Sequence, residues 1–94
     1  MTRRKIPRCV RFSPKVSYFK PQGIPLRLLE EVCLEADELE ALKLYEVDNI
    51  SQTVAAEKMK ISQSTFARIL DSANQKTADA LINGKAIRLE KSSL

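Results

Sequence analysis

Gln52 to Asp71, QTVAAEKMKISQSTFARILD, decides how the rest of this chain is read. The stretch divides into two short amphipathic helices around a tight corner. Ser51 stands where a side-chain oxygen can satisfy an orphan backbone N–H at the start of the first helix, and Ser62 stands in the same place for the second. In the first helix Val54 or Ala55, then Met59, then Ile61 face one way. In the second, Phe66, Ile69, Leu70 and Ala73 follow the i, i+3, i+4, i+7 spacing of a buried helix face. Ala56 is small enough to lie under a steep helix crossing. The opposite face of the second helix carries Gln63, Ser64, Ala67, Arg68 and Asp71, which are polar or short, with a single Arg.

This layout resembles the DNA-binding helix-turn-helix. Ala56 matches the inter-helix contact, Met59 the residue before the turn, Ile61 its closure, and Phe66 and Ile69 the core of the second helix. The motif usually has Gly in a left-handed conformation at the turn, whereas this chain has Lys60. A non-Gly residue there costs about 1 kcal/mol, because its Cβ meets the backbone. Either Lys60 bears that strain or the turn differs slightly. An ordinary pair of core helices is the plainer alternative.

The 94 residues suit one domain with a modest core, and 44% apolar content is that of a globular chain. No run approaches eighteen apolar residues, so no membrane span is expected. The basic N-terminus is not followed by an apolar stretch, which argues against a secretory signal and for a cytoplasmic location. Cys9 and Cys33 are the only cysteines and there is no His, too few ligands for a complete intrachain zinc site. Packed or free thiols are expected, with no metal and no cofactor. The net charge of +4 conceals a pattern: residues 1–29 sum to +8, residues 30–57 to −8, and residues 58–94 to +4. A polyanion would be drawn to both ends and repelled by the middle.

Residues 1–8, MTRRKIPR, read as a basic arm through which Pro7 prevents a helix from running. Such an arm can track phosphates or enter a minor groove, or it can be a solvated terminus. Residues 9–34 read as extended, with short strands at Val10–Phe12, around Val16, Tyr18 and Phe19, and at Glu31–Leu34. Phe12, Tyr18 and Phe19 alternate with Arg11, Lys15 and Lys20; such aromatics either pack a core edge or stack on bases. Pro21, Gly23 and Pro25 suggest a rigid extended connector. A first helix is expected over Ala36–Val47, its acids on a solvated face and Asp37 and Glu38 at the positive end of its dipole. Leu39, Leu42, Leu44 and Tyr45 or Glu46 form its apolar stripe, and Asp48-Asn49 ends it. The helix after Ser62 is expected over 63–83, with Ala73, Thr77, Ala80 and Leu81 continuing its packed side until Gly84 stops it. A closing strand at 86–90 can pair with Val10–Phe12 or with Val32–Leu34.

Three longer strings carry a closer likeness: Tyr18-Phe19-Lys20-Pro21 with Gly23-Ile24-Pro25-Leu26, then Asp37-Glu38-Leu39-Glu40-Ala41-Leu42, then Gln63-x-Thr65-Phe66-x-Arg68-Ile69-Leu70. Together they resemble uncharacterised protein family 251, also called domain of unknown function 134, from residue 3 to about 90. The resemblance implies a mainly α fold: a three-helix, sigma-region-4-like helix-turn-helix core with short β segments at both ends. It implies DNA binding as a prediction only, with a motif like the promoter −35-reading domain of sigma factors. Some relatives carry an appended domain resembling those of dinitrogenase iron–molybdenum cofactor biosynthesis, and these 94 residues include no match to it.

Carried onto this chain, the motif puts Gln63, Ser64, Ala67 and Arg68 on base edges. Gln63 suits an adenine edge, Arg68 a guanine edge and Ala67 a thymine methyl. Phosphate contacts are expected from Arg3, Arg4, Lys5 and Arg8 on the arm, and from Lys58, Lys60, Ser62 and Thr65 around the corner. The expected function is sequence-dependent binding of duplex DNA in transcriptional regulation. The alternatives are an adaptor that docks on RNA polymerase or another regulator through the acidic helix, and an RNA-binding module. A homodimer through the far end of the long helix is a further expectation. No enzyme is expected, since there is no His, no Gly-rich phosphate loop and no nucleophile with a base beside it.

Overall fold

A computed structural model of the chain describes Val10, Pro14 and residues 17–90. Strand β1 (Tyr18–Phe19) is followed by a 3₁₀ turn at Leu26–Leu28 and strand β2 (Glu31–Leu34). Helix α1 (Ala36–Leu42) runs on into a π turn at Lys43–Val47. Then come α2 (Gln52–Met59), α3 (Gln63–Asn83) and β3 (Ala86–Leu89). The fold is mainly α, with a helix-turn-helix-like core and short flanking strands, as the residue pattern implies.

Helix α3 is the spine, because one buried stripe along it serves two hydrophobic clusters. Phe66 and Leu70 join Met59, Ala55 and Ala56 of α2, Ala41 of α1 and Leu44 of the π turn. One to three turns further on, Ala73 and Ala80 join Leu39 of α1 with Leu34, Ile87 and Leu89 of the sheet. Of the two sequence options at the start of α2, Ala55 is the buried one and Val54 is exposed. Leu81, expected on the packed side, is 73% exposed, since the stripe turns inward at Ala80 and carries its neighbour outward.

The sheet has the order β1-β3-β2. Strand β3 pairs parallel with β2, with Val32 opposite Ile87 and Leu34 opposite Leu89. It pairs antiparallel with β1, with Tyr18 opposite Arg88 and Phe19 opposite Ile87. Ile87 and Leu89 point into the core and Arg88 out of it, the alternation of a sheet covered on one face. Of the two expected partners for the closing strand, the Val32–Leu34 pairing forms. Val10 belongs to no strand, and Arg11 to Ser13, Lys15, Val16 and the basic arm lie outside the described residues. Tyr18 and Phe19 pack no core: they are 38% and 59% exposed on a two-residue edge strand. The connector before β2 is not wholly extended, since Gly23 takes a φ of +83° and a 3₁₀ turn follows at Leu26.

Two expectations about the first helix are corrected. Its last stretch widens into a π turn, in which the Asp48 N–H donates to the Lys43 carbonyl over 2.8 Å. The Lys43 ammonium clasps the Asp48 carboxylate at 2.6 Å, and that hydrogen bond holds the ammonium pKa above its usual range. Asn49 then takes a left-handed φ of 58°, and the Ile50 N–H reaches back to the Leu44 carbonyl, which folds Ile50 against the core.

The second correction concerns charge: Glu38 and Glu40 are each only 5% exposed, not on a solvated face. The Glu38 carboxylate accepts hydrogen bonds from the Glu35 N–H at 2.8 Å, the Ser72 hydroxyl at 2.5 Å and the Lys76 ammonium at 2.9 Å. Lys76 also donates to the Cys33 carbonyl at 2.8 Å. One carboxylate thus ties α1 to the middle of α3, and one lysine ties α3 to β2. A buried carboxylate is tolerated when every oxygen is answered in this way. Beside this knot Cys33 is a free thiol, and burial pushes its pKa up against the pull of Arg88.

At the corner, Lys60 bears the strain that the sequence left open: its φ and ψ are 59° and 45°. The Ile61 N–H donates to the Ala56 carbonyl at 3.1 Å, six residues closing on one, and Ile61 packs back on the core. The same closure ends α3, with Gly84 left-handed and the Lys85 N–H on the Ala80 carbonyl at 2.9 Å.

Two consequences are measurable. Lys60→Gly relieves about 1 kcal/mol of Cβ strain but loosens the unfolded chain by about 0.4–1 kcal/mol, so stability should rise by no more than about 0.6 kcal/mol and the Tm by no more than a few degrees in a thermal melt. Glu38→Ala strands Lys76 and Ser72. Breaking a buried pair costs roughly 3–5 kcal/mol, and because the Lys76 side chain is 33% exposed the expected loss here is about 2–4 kcal/mol in urea unfolding. The double change Glu38→Leu with Lys76→Met should cost clearly less than the sum of the single changes.

Candidate nucleic-acid interface

The helix-turn-helix-like pair turns one edge of α3 outward. Ser62 caps α3: its hydroxyl accepts from the Thr65 N–H at 3.1 Å and donates to the Thr65 hydroxyl at 2.8 Å. Its oxygen also lies 3.3 Å from the Ser64 hydroxyl. Ser51 caps α2 in the same manner, accepting from the Val54 N–H at 3.3 Å. These short-range bonds fix where both helices begin, and so which residues occupy the first turn of α3.

On that turn and the next, Gln63, Ser64 and Arg68 are exposed and Ala67 is half-buried. The stripe Phe66, Leu70 and Ala73 is buried beneath them. All four base-reading candidates from the sequence therefore share one outward face. Of the phosphate-binding candidates, Lys58 and Lys60 are exposed on the corner, and neither has an ion pair among the contacts of the described residues. Ser62 is exposed and Thr65 half-buried, but their hydroxyls are already engaged in the cap. Arg3, Arg4, Lys5 and Arg8 lie outside the described residues.

One contact joins the two helices across the corner on this face. The Thr53 hydroxyl, in the first turn of α2, donates to the side-chain carbonyl of Gln63 over 3.2 Å. Sequence reading passed over Thr53, because a threonine in a first helical turn is unremarkable by pattern; only the corner brings it to Gln63.

Behind Arg68 a cleft of about 290 Å³ opens between α3 and the start of α1, bordered by Thr65, Ser72 and Lys76 on one side and Glu35 and Asp37 on the other. The acids at the start of α1 thus share this cleft with Thr65 and Arg68. At the other end of α3, Leu81 and Ile82 are 73% and 82% exposed, next to a shallow groove of about 310 Å³ floored by Phe19, Ala80 and Ile87. Among the described residues no helix is long and apolar enough to cross a membrane.

The fold and face define a small helical chain with a helix-turn-helix-like core and a polar outer edge. A family model described as "Protein of unknown function DUF134" matches residues 1–94, and the chain belongs to that family. A UPF0251 protein of Caldanaerobacter subterraneus subsp. tengcongensis is 57% identical over 83 residues, which cover 88% of this chain and 70% of that protein. One from Thermoanaerobacter pseudethanolicus is 52% identical over 86 residues, 89% of this chain and 73% of its own length. One from Moorella thermoacetica is 53% identical over 90 residues, 96% of this chain and 60% of its own. No solved structure matches the chain.

Proposed function

We propose that this chain binds duplex DNA in a sequence-dependent manner and serves as a transcriptional regulator. The observation that carries this reading is the outward row Gln63, Ser64 and Arg68 on the first turns of α3, with the exposed Lys58 and Lys60 beside it on the corner. A helix edge of this kind fits a major groove when its underside is packed and its start is capped. Gln63 reads an adenine edge, Arg68 a guanine edge or a phosphate, and Ala67 a thymine methyl. Lys58, Lys60 and the basic arm grip phosphates and add affinity without sequence information. Leu81 and Ile82, exposed at the far end of α3, suit contact with a second copy, so that two edges address two half-sites.

A second reading draws on β1. Tyr18 and Phe19 are exposed beside Lys20, an arrangement that suits stacking on RNA or single-stranded bases. The adaptor reading is weakened, because burial of Glu38 and Glu40 removes much of the acidic surface it relied on.

A mobility shift on random duplex at low salt, in competition with single strands and RNA, separates the three: a pure adaptor gives no shift, and an RNA module prefers the competitor. Arg68→Ala should cost about 1–3 kcal/mol on a selected site and flatten its preference. Replacing Arg3, Arg4 and Lys5 together should weaken all duplexes alike and lower the salt slope by up to ~2.7. An unchanged slope would remove the arm from the interface.

A further inference from the structure

We propose that Thr53 is a positioning residue that sets the base preference of Gln63, a proposal that rests on the duplex-DNA reading above. Gln63 stands at the first position of α3, and its side-chain amide has an oxygen and a nitrogen on opposite sides. Adenine offers a donor and an acceptor at fixed places along its major-groove edge, so only one order of amide oxygen and nitrogen satisfies both. A glutamine on a bare helix surface samples both orders and several rotamers, which blurs its choice of base.

In this fold the amide is not bare. The Thr53 hydroxyl donates to Gln63 Oε1 over 3.2 Å. Thr53 itself is fixed, because α2 begins at the Ser51 cap two residues earlier and its underside, Ala55, Ala56 and Met59, is buried. The bond therefore spans two helices whose relation is set by the left-handed corner at Lys60. It ties the amide to α2, with Oε1 toward Thr53 and Nε2 directed away from it. A carbonyl oxygen has two lone pairs, so Thr53 occupies one and leaves the other for the adenine amino group. The nitrogen then donates to the adenine ring. Water competes for this bond in the free protein, since both side chains meet solvent. A duplex seated on the edge excludes that water, and a polar pair counts for more once it is desolvated.

The test uses the full chain and duplexes selected by it from random DNA. Base preference is read at each position by competition for the wild type, Thr53→Val and Thr53→Ser. Valine keeps the branched shape and removes the hydroxyl, whereas serine keeps the hydroxyl. Circular dichroism and thermal melts check that both variants fold. Thr53→Val should lose roughly three- to tenfold of discrimination at one adenine position, the size of one neutral hydrogen bond, with unchanged low-salt affinity for random duplex and unchanged salt slope. Thr53→Ser should restore the preference. In a Gln63→Ala background the valine change should have no further effect at that position. Unaltered preferences in Thr53→Val overturn the proposal while leaving DNA binding intact. A serine variant that behaves like valine also overturns it, because the hydroxyl would not be the active feature. A wild type that selects no duplex removes the DNA reading and, with it, the role given to Thr53.

Discussion

Burial of a single stripe on α3 is the constraint on which the rest depends. The stripe changes character along its length. Toward the corner it carries Phe66 and Leu70, large groups that fill the angle between α1, α2 and the π turn. Toward the sheet it carries Ala73 and Ala80, which let β2 and β3 come close. Among the described residues Phe66 and Met59 are the largest fully enclosed side chains, and each contributes about 1.5–3 kcal/mol on burial. For a chain of 94 residues with a net stability on the order of 5–15 kcal/mol, few contacts are spare. The helix is anchored by its far half, so its first two turns can stand with one side packed and the other clear.

The polar knot at Glu38 follows from that arrangement. Once Ala73 draws α3 against α1 and the sheet, Ser72 and Lys76 flank the same approach, and a carboxylate placed between them answers both. The knot also alters the electrostatics. Read from composition, residues 30–57 are a block of −8. In the fold two of those acids, Glu38 and Glu40, are buried, and Glu38 is paired with Lys76, a base from outside the block; Asp48 is paired with Lys43, which the sum already includes. The field that a polyanion would meet on approaching Lys58 and Lys60 is weaker than the formal count, because paired charges cancel within a few ångströms.

What could be read from the sequence was local. The caps at Ser51 and Ser62, the stop at Gly84 and the buried stripe of α3 each depend on residues within one or two turns, and each is in place. The outward row Gln63, Ser64 and Arg68 was legible for the same reason: the face opposite a buried stripe is fixed by helical period. The illegible features are nonlocal. Glu38 shows locally only as the capping partner of the Glu35 N–H, whereas the partners that bury it lie 34 and 38 residues away. A strand at Tyr18 and Phe19 is expected from the sequence, but its pairing with β3 is not, because two residues carry no period that would name a partner. The π turn depends on a reach from Lys43 to Asp48 that a regular helical count does not anticipate. Thr53 acquires a partner only because the corner folds ten residues back on themselves.

The corner itself is the remaining choice to account for. Two non-glycine residues among those described have a positive φ, Asn49 and Lys60. Asparagine is among the side chains that accept this conformation most readily, so Asn49 needs no further reason. Lysine has no such tolerance, and the bonds that close the turn, from the Lys60 and Ile61 N–H groups back to α2, use the backbone alone and would form equally with glycine. The local cost of about 1 kcal/mol therefore gains nothing for the turn geometry. What lysine adds is an exposed cation at the tip of the corner, beside Lys58 and next to the first turn of α3. Glycine would relieve the strain but loosen the unfolded chain, so the two residues differ little in what they contribute to stability, and what is specific to lysine is that exposed charge.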